Sequence, residues 1–168
     1  MIKYNIFETR FGYCAIASDN DVLCRVVVPG KTIKETQARI MAGINDSVVE
    51  ERNMLPDVRD MLISYFDGNR VDFSDIKVNI NSKGKFHIDV YKAAQKISYG
   101  TIVSYKHLAE LAGNSKAARA VGQAMANNQI PIVIPCHRVV TSSNKLGGFA
   151  YGLDCKTKLL EMEGIYLK

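Results

Sequence analysis

Ser104-Tyr105-Lys106-His107-Leu108-Ala109-Glu110-Leu111-Ala112-Gly113-Asn114-Ser115-Lys116-Ala117-Ala118-Arg119-Ala120-Val121-Gly122-Gln123-Ala124-Met125-Ala126 holds two short helical patterns around a Gly-Asn turn. Ser104 is placed to cap the first, with Leu108, Leu111 and Ala112 inward and Gly113 as its stop. Asn114 or Ser115 caps the second, whose inward face is Ala117, Val121, Ala124 and Met125. Two short helices joined by a tight turn form a helix-turn-helix. This spacing fits a DNA-binding pair and a purely structural pair alike. The outward face of the second helix says more. Ser115, Arg119, Gly122 and Ala126 fall on it, flanked by Lys116 and Gln123. Solvated helix faces are usually dense in Lys and Glu, and this one is not. Its small residues let a helix backbone approach a surface closely, and Arg119 is the long cation at its centre.

Upstream, Phe86, Val90, Ala94 and Ile97 mark one face of another helix, broken by Tyr99-Gly100. Residues 69–85 are polar, and Asn81-Ser82-Lys83-Gly84-Lys85 is the best candidate for a domain boundary. Before it, residues 2–8, 11–18 and 21–28 read as strands, with Ser18-Asp19-Asn20-Asp21 as a turn signal. Short connections favour antiparallel pairing. Thr32-Ile33-Lys34-Glu35 is a capping box for a helix over 33–42, with Gly43 as its end. A second helix begins at Pro56 and stops before Gly68, with Val58, Leu62, Ile63 and Phe66 as its apolar face. The expected architecture is α+β. A domain over 1–82, made of a small antiparallel sheet with helices, is followed by a mainly helical, winged-helix-like domain over 83–168.

The chain has 168 residues, 47 % of them hydrophobic and 23 % charged. That composition predicts a packed globular protein and excludes disorder. No apolar run reaches the roughly 18 residues that a membrane span needs, and the start of the chain lacks the pattern of a secretory signal. A cytoplasmic location is expected. The net charge of +5 is unevenly spread. Residues 1–82 carry 10 basic and 12 acidic side chains, residues 83–168 carry 12 and 5. A basic half on a mildly acidic protein is the footprint of polyanion binding. Of the four cysteines, Cys14 and Cys24 sit in apolar strand-like text and read as packing residues.

Cys136 is different. It stands in Ile130-Pro131-Ile132-Val133-Ile134-Pro135-Cys136-His137-Arg138-Val139-Val140, too short and too Pro-bounded for a helix. A buried extended segment is predicted, with Cys136 where apolar text meets polar. A thiol becomes a nucleophile only as a thiolate, so it needs a base or a cation nearby. His137 is adjacent, but neighbours in an extended chain point to opposite sides, so contact requires a bend or a bound water. The pair alone fits an inert buried Cys beside an ordinary His equally well. The last helix, capped by Asp154 and ended by Gly164, adds Glu163 to the face of Leu159 and Leu160. A carboxylate there needs a partner, and a histidine suits it. Cys136, His137 and Glu163 then follow the nucleophile–base–orienter logic that recurs on unrelated folds. Arg138 and Tyr99 are assigned to structure.

These residues carry a family likeness. Residues 86–164 resemble the methylated-DNA–protein-cysteine methyltransferases, also called O6-alkylguanine-DNA alkyltransferases. The likeness rests on Ile134-Pro135-Cys136-His137-Arg138-Val139-Val140, with Tyr99-Gly100, Val103-Ser104-Tyr105, Leu111-Ala112-Gly113-Asn114, Ala117-Ala118-Arg119-Ala120-Val121-Gly122 and Gly147-Gly148-Phe149 in matching order. The N-terminal half suits that family's ribonuclease-H-like first domain in layout. The resemblance implies single-turnover repair of double-stranded DNA by a monomer. An O6-alkylguanine, or an O4-methylthymine, is flipped out and its alkyl group moves irreversibly to Cys136.

It further implies that His137 is a water-bridged base backed by Glu163. Asn128 links the recognition helix to the acceptor segment, and Arg119 fills the gap left by the flipped base. Tyr105 crowds the 3′ phosphate and donates to the base. The backbones of Cys136 and Val139 meet the guanine edge. Phe149, Ala150 and Tyr151 line the substrate pocket. No metal and no cofactor are implied, because the thiolate is itself the acceptor. This sequence departs from the family at three places. Phe149 stands where tyrosine is frequent, Ala150 where serine is, and Tyr151 where the family has a small residue or a large aromatic one.

Three other readings compete. A cysteine hydrolase would need an oxyanion hole, and nothing here marks its second donor loop. A transcription factor would not need the Pro-Cys-His-Arg segment. A relative that binds alkylated DNA without repairing it would lack the acceptor cysteine.

Overall fold

The computed structural model describes residues 1–81 and 84–168. The predicted domain cut at 82/83 lies outside the described residues. The chain forms two compact units. One comprises residues 1–71, 75–81 and 129–131, the other 72–74, 82–128 and 132–168.

In the first unit, β1 (Ile2–Thr9), β2 (Gly12–Asp19) and β3 (Val22–Gly30) form an antiparallel meander. The turn from β2 to β3 places Asn20 and Asp21 at φ 49° and 61°. Positive φ at both central residues matches the twist of the flanking strands, and Asn and Asp tolerate it. Helix α1 (Ile33–Met41) starts with the Thr32 side chain accepting the Glu35 N–H, while Glu35 reaches back to the Lys31 N–H. Thr36 and Ile40 of α1 are buried, and Ile40 packs with Tyr4, Ala15, Ala17 and Val27 of the sheet. A fourth strand, β4 (Val48–Glu50), pairs parallel with β1 at the sheet edge. Three residues with no alternation gave no signal for it. Helix α2 (Pro56–Phe66) has Pro56 at its start and buries Val58, Leu62, Tyr65 and Phe66. Tyr65 thus takes the place predicted for Ile63, which is only half-buried.

In the second unit, α3 (Lys85–Gln95) buries Val90, Tyr91 and Ala94. It ends four residues before Tyr99, earlier than predicted. Strand β5 (Val103–Ser104) leads into α4 (Tyr105–Leu111), where the Ser104 hydroxyl accepts the His107 N–H. Leu108 and Ala109 are buried, but Leu111 is 55 % exposed, so the apolar face is narrower than predicted. Helix α5 (Ala118–Ala126) starts later than its pattern suggests. Asn114 accepts the Lys116 N–H in a turn before the helix, and Ala117 occupies the cap position without a side-chain bond. Asx turns of this kind compete with helix starts. Ser115 therefore precedes the helix instead of lying on it.

A 3-10 turn (Cys136–Arg138) runs into β6 (Val139–Val140), which pairs parallel with β5. Helix α6 (Leu153–Met162) is preceded by Gly152, not capped by Asp154. Tyr91 of α3 donates its hydroxyl to the Ala124 carbonyl at 2.7 Å, tying α3 to α5. Among the described residues no helix is long and apolar enough to cross a membrane.

Candidate active site and DNA-facing helix

Residues 131–140 are buried throughout, but they turn. The predicted extended segment is incorrect here. Ile132 has φ +72°, and Pro135 sits at φ −80°, ψ 68°. The latter values make Pro135 the centre of an inverse γ-turn, a conformation its ring pre-sets. The Cys136 N–H accordingly donates to the Ile134 carbonyl at 2.8 Å. A β-branched residue at positive φ costs of order 1–3 kcal/mol and persists where packing over-determines it. Ile132 is wholly buried.

The Ile134 carbonyl also accepts the Asn128 side-chain N–H at 2.8 Å. Asn128 lies two residues past the end of α5. It therefore ties the Pro135 turn to that helix. The 5 % exposed Cys136 sits at the start of the 3-10 turn. Burial pushes its thiol pKa up, while Asn128 and the charge of Lys156 pull it down. The net shift is upward, so the resting group is a thiol.

Glu163 lies at the C-cap of α6, one residue before Gly164 at φ 82°. Its carboxylate is wholly buried and accepts four donor groups. His137 Nε2 lies at 2.7 Å from Oε1, Arg138 donates from Nη2 and Nε at 2.9 Å, and the Gly100 N–H donates at 3.0 Å. Burial works against the charge, yet the bonds from His137 and Arg138 hold Glu163 well below the ordinary carboxylate range. An ionised carboxylate only accepts, so His137 carries its proton on Nε2. The other ring nitrogen, Nδ1, is then the basic one. Burial lowers the His137 pKa more than Glu163 raises it, and the ring is neutral near pH 7.

Arg138 belongs to this cluster, although the sequence reading set it aside. Besides Glu163 it bonds the Ile97 carbonyl at 2.6 Å and lies over the Tyr99 ring at 5.8 Å. The adjacent Cys-His-Arg triplet was the available signal. Lys156 was also missed. It is fully buried on α6, and its ammonium donates to the carbonyls of Val139, Leu146 and Gly148. Its spacing to Leu159, Leu160 and Glu163 places all four on one helical stripe.

A cavity of about 530 Å³ opens onto the thiol. Its walls are Tyr105, Ala118, Arg119, Gly122, Met125, Ala126, Cys136, Gly148, Phe149 and Ala150. That volume suits a small-molecule-sized group. Cys136, Tyr105, Arg119, Gly122, Ala126, Phe149 and Ala150 are thus brought to one place. Arg119 and Ala126 are exposed. Ser115 and Gln123 are exposed but do not wall the cavity. Tyr151 stands outside the wall, its ring 5.7 Å from that of Phe149. Val139 is fully buried, and its N–H donates to the Cys136 carbonyl. Tyr105 is half-buried, and burial pushes its phenol pKa up. Gly147 is at φ 68°, and a Cβ there would meet the Tyr105 hydroxyl at 2.8 Å. Among the described residues no group of three or more His, Cys, Asp or Glu side chains is placed to hold a metal.

Comparison with known proteins gives a consistent answer. Residues 85–165 match the family described as 6-O-methylguanine DNA methyltransferase, DNA binding domain, and residues 2–80 match its ribonuclease-like domain. A methylated-DNA–protein-cysteine methyltransferase of Metallosphaera sedula is 36 % identical over 100 % of this chain and 97 % of its own. One from Sulfurisphaera tokodaii is 40 % identical over 98 % and 95 %. The crystal structure of the Mycobacterium tuberculosis O6-methylguanine methyltransferase aligns with a TM-score of 0.78 at 31 % identity, covering 97 % of this chain and 93 % of that one. The M. tuberculosis protein in complex with DNA aligns with a TM-score of 0.80 at 29 % identity, covering 96 % and 93 %. With both halves matched and a thiol at the head of the cavity, this chain belongs to the methylated-DNA–protein-cysteine methyltransferases, enzymes of DNA repair.

Proposed function

We propose that this protein binds double-stranded DNA as a monomer in the cytoplasm, flips out an O6-alkylguanine and moves the alkyl group irreversibly to Cys136. O4-methylthymine presents the same O-methyl carbon and is a second substrate. The observation that supports this most is the cavity itself. One wall is the buried thiol, and the other is the small-residue face of α5 with Arg119 exposed on it.

The chemistry follows from the groups present. An alkyl carbon on O6 is out of reach of an in-line attacker within a stacked duplex, so the base must leave the stack. Unstacking costs a few kcal/mol, and a side chain filling the gap offsets part of it. Arg119 is that side chain, and Ser115, Gly122, Gln123 and Ala126 bring α5 close to the groove. His137 Nδ1 takes the Cys136 proton through a water, and Glu163 stabilises the resulting imidazolium. The thiolate sulfur attacks the alkyl carbon, the C–O6 bond breaks and its electron pair stays on O6. Tyr105 then supplies a proton to the guanine ring, the imidazolium proton returns to the phenolate through water, and the base is left in the DNA as guanine. The Cys136 and Val139 carbonyls hold the guanine edge, while Phe149 and the Ala150 N–H border the base. A thioether is not readily hydrolysed, so each molecule acts once. The chain divides this work between a first domain over 1–82 and a DNA-binding, alkyl-accepting domain over 83–168.

Intact-protein mass spectrometry after incubation with a duplex carrying one O6-methylguanine tests this reading. A gain of one methyl in place of one proton is expected, and none in Cys136→Ala. Tight binding of the damaged duplex without any gain would replace repair with recognition alone.

A further inference from the structure

Lys156 is a buried cation that the transfer chemistry leaves without a task. An ammonium has three donors and no acceptor. Here all three are spent on backbone carbonyls: Val139 at 2.7 Å, Leu146 at 2.5 Å and Gly148 at 3.1 Å. The first belongs to β6. The other two belong to the loop that carries Gly147 and leads into Phe149 and Ala150. The same ammonium stands 5.9 Å from the centre of the Tyr105 ring. Tyr105 in turn lies against this loop, where a Cβ on Gly147 would come within 2.8 Å of its hydroxyl.

We propose that Lys156 is a positioning residue for alkyl transfer, clamping the 146–148 loop to β6 so that Tyr105 and the Val139 carbonyl are held where the extruded base must sit. This rests on the alkyl-transfer reading above. The clamp depends on charge. A neutral amine keeps two donors and turns a lone pair toward a carbonyl, so one of the three bonds must break. Burial brings the Lys156 pKa down to about 8, opposed by the charge of a Cys136 thiolate. The titratable groups facing it are Cys136 and His137 from the 3-10 turn and Tyr105 from α4. Deprotonation of Lys156 therefore releases the loop on the alkaline side of neutrality.

Two measurements test it. The first is the amide NMR signals of Gly147 and Gly148 in the substrate-free protein between pH 6.5 and 9.5. A shift with a midpoint near 8 is expected in the wild type, and none in Lys156→Met. Flat signals in the wild type overturn the clamp, as does a shift that persists in Lys156→Met and so belongs to Cys136 or Tyr105. The second is the rate of methyl uptake from a methylated duplex. Lys156→Met should lose at least tenfold at pH 7. Lys156→Arg should recover part of that loss and keep its rate above pH 8.5, where the wild type slows. Wild-type speed in Lys156→Met overturns the proposal. If the wild type takes up no methyl at all, the alkyl-transfer reading fails instead, and the amide titration alone decides the clamp.

Discussion

The Glu163 carboxylate lies 2.7 Å from His137 Nε2, with both side chains wholly buried. Arg138 donates to both oxygens of the same carboxylate. The ion pair is therefore Glu163 with Arg138, and His137 joins it as a neutral ring. That arrangement fixes the tautomer of a base without charging it in advance.

It also sets how acid acts on the fold. The folded-state pKa of His137 lies below its ordinary 6.5, because burial disfavours the charged ring. That of Glu163 lies below its ordinary 4.5, because His137 and Arg138 outweigh burial. In both cases the unfolded chain binds more protons at acid pH. Stability must then fall as pH drops, first below about 6.5 through His137 and more steeply below about 4.5 through Glu163. Urea denaturation midpoints between pH 8 and pH 3.5 check this. Glu163→Gln should be less stable by about 3–5 kcal/mol at pH 7, since it leaves a buried guanidinium without its anion. Its midpoint should also vary less below pH 4.5. A Glu163→Gln curve parallel to the wild type through that range would show that the carboxylate is not the titrating group.

Arg119 is exposed on the cavity rim, and under the proposed extrusion its task exists only when a base leaves a stack. Arg119→Ala should slow methyl uptake from a duplex by about tenfold or more, as expected for loss of a side chain that offsets unstacking. Uptake from free O6-methylguanine should change little. Equal losses on both substrates would assign Arg119 to the chemistry or to folding, not to extrusion.

These residues also show what a sequence can and cannot disclose. The meander, α1 and α2 were legible because alternation, a capping box and Pro56 are local signals. The buried His137–Glu163 pair beside Cys136 was legible because a thiol, an imidazole and a carboxylate each stand in apolar text. The shape of the segment around Cys136 was not. Pro131 and Pro135 marked it as non-helical, but an inverse γ-turn and a positive φ at Ile132 are set by packing around the chain. Lys156 was illegible for a related reason. A lysine in a helix reads as solvent-facing, and only the loop carbonyls folded over it make burial tolerable. Arg138 was passed over because its partner lies 25 residues away. Strand β4 is too short to carry a period, and its pairing depends wholly on β1.

Gly147 tests how tightly the loop must sit on Tyr105. Its φ of 68° is one that glycine adopts freely, and an added Cβ would come within 2.8 Å of the Tyr105 hydroxyl and 2.9 Å of its ring. Gly147→Ala must therefore strain the backbone and displace the tyrosine together. A stability loss of about 1–3 kcal/mol is expected from the backbone, with a fall in methyl uptake larger than in Gly148→Ala. Gly148 has nothing within 4 Å of such a Cβ and no positive φ. Equal rates in the two variants would remove the Tyr105 contact from the argument.

Under the proposed reading, Phe149 and its neighbour Tyr151 set what reaches the thiol and how fast. Phe149 walls the cavity with a ring but offers no hydroxyl near the sulfur or the leaving oxygen, and Ala150 offers only its backbone N–H. Developing charge on O6 is then stabilised by fewer donors than a tyrosine and a serine would give, and each preorganised donor matters in a site that excludes water. Phe149→Tyr should raise the second-order rate of methyl transfer severalfold. An unchanged rate sinks this account of the departure. Tyr151 acts at one remove. Its ring lies 5.7 Å from that of Phe149, tilted by 55°. On this reading a benzyl group in place of a methyl needs Phe149 to yield, and the Tyr151 ring beside it resists that. The wild type should react poorly with free O6-benzylguanine, and Tyr151→Gly should react at least tenfold faster with it while its methyl transfer changes little. Ready inactivation of the wild type by O6-benzylguanine would show that the rim is already wide enough and that the Phe149–Tyr151 contact does not restrict the pocket.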